Sequence, residues 1–324
     1  MSGRAPRCLA LSGGVGGAKL ALGLAHAMAP EDLLVVANTG DDFEHLGLLI
    51  CPDIDTIAYT LAGVSNPETG WGRAGETWSF MEAQAALGGE TWFRLGDRDL
   101  AVHLERTRRT AAGETLSAVT ADLARRLGGR VWIAPMSDRP VRTIVETPDG
   151  PLPFQHYFVR EQCRPRVTGF RFEGAAAATP SPAFAAALAG GPEAVVICPS
   201  NPFISIDPIL AVPGVRDALA RRSAPAVAVS PIVGGRAIKG PTAKMMTELG
   251  IPSDAAAVAQ HYRGLIDGFI LDRSDAASAA AVERLGLAVL VTGTVMQTLD
   301  DKAQLAREAL DFARSISPAG GRAG

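Results

Sequence analysis

Lysine is scarce in this chain. Of 31 basic residues only Lys19, Lys239, Lys244 and Lys302 are lysines, and the rest are arginines. With 34 acidic residues the net charge is −3, so no positive field favours nucleic acid. Cysteine is scarce too. Cys8, Cys51, Cys163 and Cys198 are scattered, without a C-x-x-C pair. That spacing excludes a disulfide framework and leaves a reducing compartment as the default. No uninterrupted apolar run reaches the ~18 residues of a membrane span. Gly13 and Gly14 cut the first apolar run short, so no secretory signal is read there. The five histidines are isolated, and with no histidine or cysteine cluster a zinc site is not expected. H-E-x-x-H, G-x-S-x-G and the kinase signatures are missing as well. The chain is expected to be soluble and cytoplasmic.

What is present begins at residues 11–20, Leu-Ser-Gly-Gly-Val-Gly-Gly-Ala-Lys-Leu. An apolar run at 8–11 precedes it and a helix-like run at 18–28 follows. A strand, a glycine turn and a helix bring backbone N–H groups and a helix N-terminus to an anion. Side chains would obstruct that approach, which gives Gly13, Gly14, Gly16 and Gly17 a reason to be glycine. The stretch matches neither nucleotide fingerprint: position 19 is Lys, and Ala18-Lys19-Leu20 stands where Gly-Lys-Ser/Thr is required. Lys19 reads either as a phosphate contact or as cover for the first helix.

Continuous apolar runs at 33–37, 194–198, 226–230, 268–271 and 287–292 read as strands buried on both faces. With 8–11 they predict a doubly wound, mostly parallel α/β sheet of about six strands. Between them, 141–146 and 153–159 flank Pro148-Asp149-Gly150 and predict a hairpin. The expected organisation is therefore a core from 1–60 and 186–316, an inserted α+β subdomain at 61–185, and a disordered tail at 317–324.

Several strand ends carry polar turns. Asn38-Thr39-Gly40-Asp41-Asp42 follows the second run, and Asp53 and Asp55 stand at the start of the next helix, where either can cap it. Four carboxylates near one rim suit Mg²⁺, which takes one or two of them plus substrate phosphates. Trp71 and Trp78, in a glycine-containing loop, read either as a stacking wall for a flat ligand or as packing anchors. Asp97, Arg98 and Asp99 read as a site loop or an elaborate helix cap. The turns Pro199-Ser200-Asn201-Pro202 and Ser230-Pro231-Ile232-Val233-Gly234-Gly235 offer hydroxyl, amide and backbone N–H groups to a diphosphate or base. Ordinary turn chemistry explains each of them singly.

The ordered set of motifs is more specific than any one of them. It comprises 12–19, 38–42, Cys-Pro-Asp-Ile-Asp-Thr at 51–56, Trp-Gly at 71–72, Leu-Gly-Asp-Arg-Asp-Leu-Ala at 95–101, Pro-Met-Ser-Asp at 135–138, Pro-Ser-Asn-Pro at 199–202 and Ser-Pro-Ile-Val-Gly-Gly at 230–235. Over about residues 8–315 this set resembles the 2-phospho-L-lactate transferase (CofD/FbiA) family. The resemblance implies a Rossmann-like fold and a Mg²⁺-dependent step in making the deazaflavin coenzyme F-420. A phospholactyl-type group, phospholactate or phosphoenolpyruvyl, moves from a guanosine diphosphate donor such as lactyl-2-diphospho-5′-guanosine. The acceptor is the ribityl hydroxyl of Fo (7,8-didemethyl-8-hydroxy-5-deazariboflavin), and GMP leaves.

The resemblance also implies a homodimer and a set of roles. Gly13, Gly14, Gly16 and Gly17 face the diphosphate. Asp41 and Asp42 hold Mg²⁺, Asp53 and Asp55 either join them or hold the acceptor hydroxyl, and Asp41, Asp53 and Asp55 form the catalytic set. Asp53 and Arg98 lie near Fo, with Trp71, Met136 and Ser137 as its walls. Ser200, Asn201 and Ser230 hold donor phosphate or guanosine. Two rival readings are a regulatory nucleotide-sugar-binding protein of the CofD-like branch and a dinucleotide-dependent oxidoreductase. The missing G-x-G-x-x-G speaks against the second.

Overall fold

The computed structural model describes residues 6–237 and 240–316; the tail expected at 317–324 lies outside them. Seven strands form one parallel sheet: β1 (Cys8–Ser12), β2 (Leu33–Ala37), β3 (Trp132–Pro135), β4 (Ala194–Ile197), β5 (Ala226–Val229), β6 (Gly268–Asp272) and β7 (Ala288–Thr292). Their spatial order is β3-β2-β1-β4-β5-β6-β7. This is the doubly wound order, extended by one strand. The strands run parallel throughout, but they are added to one side of β1 up to β3 and to its other side from β4 on, and the glycine turn follows β1.

Period-two geometry sends alternate side chains of each strand to opposite faces. Leu9 and Leu11 of β1, with Leu34 and Val36 of β2, enter one core; Cys8, Ala10, Leu33 and Val35 enter the other. Both faces are covered, which is why these strands read as unbroken apolar runs. Helices α1 (Gly14–Ala27), α2 (Pro52–Leu61) and α5 (Leu299–Ser315) build the second core. Between them in sequence come α3 (Asp97–Ala111) and α4 (Leu116–Arg126). α1 and α5 meet so closely that a Cβ on Gly23 would lie 2.0 Å from the Lys302 carbonyl oxygen. Gly23→Ala is therefore expected to cost about 1–3 kcal/mol through overpacking, read as a lower urea midpoint.

Three expectations need correction. The sheet has seven strands, because Trp132–Pro135 pairs with β2; the 61–185 segment thus supplies the edge of the core sheet and is not wholly an insertion. The predicted hairpin forms between Arg142–Glu146 and Leu152–Pro153, and Gly169–Glu173 adds a third antiparallel strand. The second arm is shorter than expected. Residues His156–Arg160 wind into a wide helical turn, because Phe154 and Tyr157 are both buried in the core and Phe158 stacks on Phe154 at 5.4 Å. That three-to-four spacing is helical.

Candidate active site

A cavity of about 710 Å³ opens at the carboxyl ends of the strands, where β1 and β4 diverge. Doubly wound sheets bind ligands at such a switch point. Its polar wall takes Gly13, Gly14, Val15, Gly16 and Lys19 from the β1–α1 turn, Asp41 after β2, and Asp53 from α2. Ser200 and Asn201 follow β4, and Ser230 follows β5. Its apolar wall takes Trp71, Trp92, Phe93, Phe154 and Phe158 from three separate segments, with Arg94 beside them.

The helix α1 begins earlier than the apolar pattern suggests, so Gly14, Gly16 and Gly17 lie in its first turn. Most of these glycines are glycine for the sake of protein contacts. A Cβ on Gly16 would lie 2.4 Å from the Pro199 carbonyl oxygen, and one on Gly17 would lie 2.4 Å from Ser12 Oγ. One on Gly13 would lie 2.6 Å from Asp53 Oδ2. Only Gly14 has open space, and there a φ of +65° is the requirement. Of the four, Gly17 does not line the cavity. The backbone N–H of Gly13 donates to Ser200 Oγ at 3.1 Å, and Ser200 returns a bond to the Gly13 carbonyl at 2.8 Å. The glycine turn is thus stitched to the end of β4.

Asp53 joins the turn to the end of β2. Its Oδ1 accepts from the Gly14 N–H at 2.7 Å and its Oδ2 from Asn38 Nδ2 at 2.9 Å. Asn38 also donates to the Ile204 carbonyl and accepts from the Gly40 N–H. Burial pushes Asp53 up to about 6, against the pull of those two bonds. Asp41 lies well above its ordinary value, first through burial and then through the charge of Asp53. Its Oδ1 is buried without a hydrogen-bond partner. Two neighbouring carboxylates, one with an open oxygen, form an excess of buried negative charge that a hard divalent cation would relieve. The donor set therefore fits Mg²⁺.

The other acidic residues serve differently. Asp42 is buried and does not line the cavity. Burial pushes it up to about 7 against the opposing charge of Arg142. Asp55 pairs with Arg106 through both oxygens, one of them 3.1 Å from Arg106 Nη1. The same guanidinium contacts the Leu49 carbonyl and His103 Nδ1. His103 lies between Asp55 and Asp99, and the Tyr59 hydroxyl donates to Asp99. Asp55, Asp99 and His103 approach one another closely enough to hold a metal ion, but Arg106 already supplies the positive charge there. Neither Asp53 nor Asp55 caps α2.

Asp97, Arg98 and Asp99 form the first turn of α3 rather than a loop. Glu76 accepts the N–H groups of Arg98 and Asp99 at 2.7 and 2.9 Å, and Asp97 accepts those of Ser79 and Phe80. Glu76 thus caps α3, and Asp97 caps the short helix Ser79–Ala86. Arg98 reaches the Ala74 carbonyl and stays off the cavity wall. Met136 is fully buried in the core and Ser137 accepts from the Arg139 N–H, so neither walls the cavity. Trp71 does; Trp78 instead lies 4.0 Å beneath the Arg94 guanidinium. The turn residues keep their local bonds while lining the cavity. Asn201 accepts from Phe203 and Ile204, and Ser230 exchanges bonds with Ile232. Trp92, Phe93, Phe154 and Phe158 were not singled out from sequence. The adjacent aromatics of a polar loop and the i, i+4 pair were the available signals.

Burial gives the metal-free protein a pH dependence with a definite sign. Asp42 and Asp99 are pushed up to about 7 and Asp53 to about 6. In the unfolded chain such groups ionise near 4. Their stabilising effect is complete below about pH 4 and is lost as pH rises through their folded values. His103, pushed down to about 4 by burial, opposes this, because the unfolded chain protonates it below about pH 6.5. Three carboxylates outweigh one imidazole. The urea midpoint is therefore expected to be lower near pH 7.5 than near pH 5.5, and added Mg²⁺ should raise it more at the higher pH.

The fold and site together define an α/β protein whose switch-point cavity sets a buried acidic pair beside an aromatic wall. The chain belongs to the CofD family: residues 8–307 match the model described as 2-phospho-L-lactate transferase CofD. It is accordingly a transferase of a phosphate-containing group, and the family places it in coenzyme F-420 biosynthesis. The phosphoenolpyruvate transferase of Streptomyces griseus is 43% identical over 317 residues, covering 96% of this chain and 99% of the relative. That of Streptomyces coelicolor is 43% identical over 97% of this chain and 100% of its own length. That of Thermobifida fusca is 38% identical over 96% and 98%. A UPF0052-family protein from Bacillus halodurans shares the fold, with a TM-score of 0.62, 14% identity, and coverage of 95% of this chain and 99% of its own. Among the described residues no helix is long and apolar enough to cross a membrane.

Proposed function

We propose that the chain transfers a phosphoenolpyruvyl or phospholactyl group from a guanosine diphosphate-linked donor to the ribityl hydroxyl of Fo, releasing GMP. The carrying observation is that one cavity joins the Asp41–Asp53 pair and the start of α1 to an aromatic wall. The names of the Streptomyces and Thermobifida relatives favour the enolpyruvyl donor.

Val15 and Gly16 N–H groups at the N-terminus of α1, with the Lys19 ammonium, meet the donor diphosphate. Lys19 already reaches into this wall, donating to the Met296 carbonyl at 2.9 Å. Ser200, Asn201 and Ser230 line the same wall and face the remainder of the donor. Trp71, Trp92, Phe93, Phe154 and Phe158 sandwich the flat deazaflavin. Asp41 and Asp53, in place of the expected pair Asp41 and Asp42, hold Mg²⁺. When bound, the ion neutralises charge on the diphosphate. The ribityl oxygen attacks the phosphorus that carries the acyl-bearing oxygen, and the bond to the GMP phosphate breaks. The hydroxyl proton goes to a carboxylate oxygen of the Asp41–Asp53 pair that the ion would not engage. Positioning and charge stabilisation carry most of the rate in such a transfer.

We also propose that the protein is cytoplasmic, checked by cell fractionation, and a homodimer, checked by size-exclusion chromatography with light scattering. The reaction is tested by incubating the protein with Fo, Mg²⁺ and either donor, and detecting GMP and the Fo phosphodiester by mass. Formation of neither product with both donors would overturn the reading. Tight binding of a nucleotide sugar in its place would favour the regulatory binder.

A further inference from the structure

We infer that Asp275 is a positioning residue that fixes the donor wall of the cavity by holding the tip of a small hairpin. The inference rests on the proposed reaction for the identity of the donor, and on geometry alone for the hold itself. Strand β5 ends at Val229, and Ile232–Val233 then pairs antiparallel with Arg236–Ala237. Gly234 and Gly235 form the two-residue turn between them, with φ of +59° and +71°. Two consecutive positive φ values define the tight hairpin turn whose twist matches its strands. In that turn both central N–H groups point away from the ladder. Asp275 takes both: its Oδ2 accepts from Gly234 at 2.8 Å and its Oδ1 from Gly235 at 3.1 Å. A carboxylate seated on consecutive backbone N–H groups makes charge-assisted bonds.

The hairpin matters because of what flanks it. Ser230 and Pro231 before it, and Gly240, Pro241 and Thr242 after it, all line the cavity. Ser230 follows β5, beside β4, and the turn after β4 packs its Pro199 and Ser200 against Gly16 and Gly13. This is the wall that contains the start of α1, so the hairpin borders the diphosphate side. Ile232 anchors its root in the core. Asp275, carried by the turn Arg273–Ser278 after β6, anchors its tip. The same bonds dispose of the idea that the Gly234 and Gly235 N–H groups meet the ligand, because Asp275 occupies them.

The test uses the full chain with Asp275→Ala and Asp275→Asn. Hydrogen exchange at 232–237 should be about tenfold faster in the Ala variant, the loss of roughly one net hydrogen bond. The Asn variant, which keeps one acceptor oxygen, should fall between. Exchange in β1, β2 and β4 should not change. In steady-state assays the donor KM should rise about tenfold on the same arithmetic, while kcat and the Fo KM stay within about twofold. Unchanged exchange at the hairpin overturns the hold. Faster exchange with an unchanged donor KM overturns the positioning role. If the wild type turns over no donor, the reaction assignment fails, and GDP affinity measured by calorimetry replaces the donor KM: the Ala variant should bind GDP about tenfold more weakly, and equal affinity overturns the role.

Discussion

Asp41→Asn is expected to lower turnover by about 10²–10³-fold while leaving the fold as stable as the wild type or more so. The two effects separate because of how Asp41 is buried. Its Oδ1 has no hydrogen-bond partner, and its charge stands beside that of Asp53. Neutralising it removes a buried like-charge repulsion, which opposes folding. The same change removes the oxygen best placed for an ion and weakens the pair that accepts the hydroxyl proton. Asp53→Asn makes the contrast. Its carboxylate bonds Gly14 and Asn38 together, and an amide there would set one NH₂ against another. That variant should lose activity and also about 1–3 kcal/mol of stability. Urea unfolding and single-turnover assays on both variants check the pair. If Asp41→Asn lost stability as severely as activity, Asp41 would belong to the scaffold.

Arg106 carries the second large effect. It is buried, and both oxygens of Asp55 bond to it. Arg106→Leu would leave Asp55 charged and unpaired near Asp42 and Asp99. Breaking one side of a buried pair costs about 3–5 kcal/mol. Adding Asp55→Asn removes the orphaned charge, and the double variant should regain a large part of that loss. It should also keep its turnover, because Asp55 does not line the cavity. A folded double variant without activity would return Asp55 to the catalytic set, where the sequence had put it.

The pattern of agreement and disagreement follows the range of the interactions. Five of the strands were legible because a strand buried on both faces must be apolar along its whole length, as 33–37 and 226–229 are; the sixth, Ala288–Thr292, is a half-exposed edge that is nonetheless an apolar run. The seventh, Trp132–Pro135, ends in proline, which argues against a strand inside a sheet, so its apolar run did not read as one; its pairing with β2 joins residues about a hundred positions apart. The rim was legible for a related reason. Glycine, Asp, Asn and Ser gather where strands end, and a doubly wound sheet puts those ends on one side.

What each rim residue does was decided only in three dimensions. The run of glycines has the same letters whether it faces a ligand or a neighbouring chain segment, and the neighbour, Pro199, is far away in sequence. Asp53 and Asp55 sit two residues apart on one helix. Two residues on a helix point about 200° apart, so one reaches Gly14 and the cavity while the other reaches Arg106. Asp41 and Asp42 divide in the same way, one on the cavity wall and one off it. The aromatic wall is assembled from residues near 71, 92 and 154–158, which no local pattern connects. By itself, then, the sequence determined most of the sheet, the edge where the cavity lies, and the family. The tertiary structure chose the carboxylates and the walls, because side-chain partners are set by packing between distant segments, whereas strands and turns are set by their neighbours along the chain.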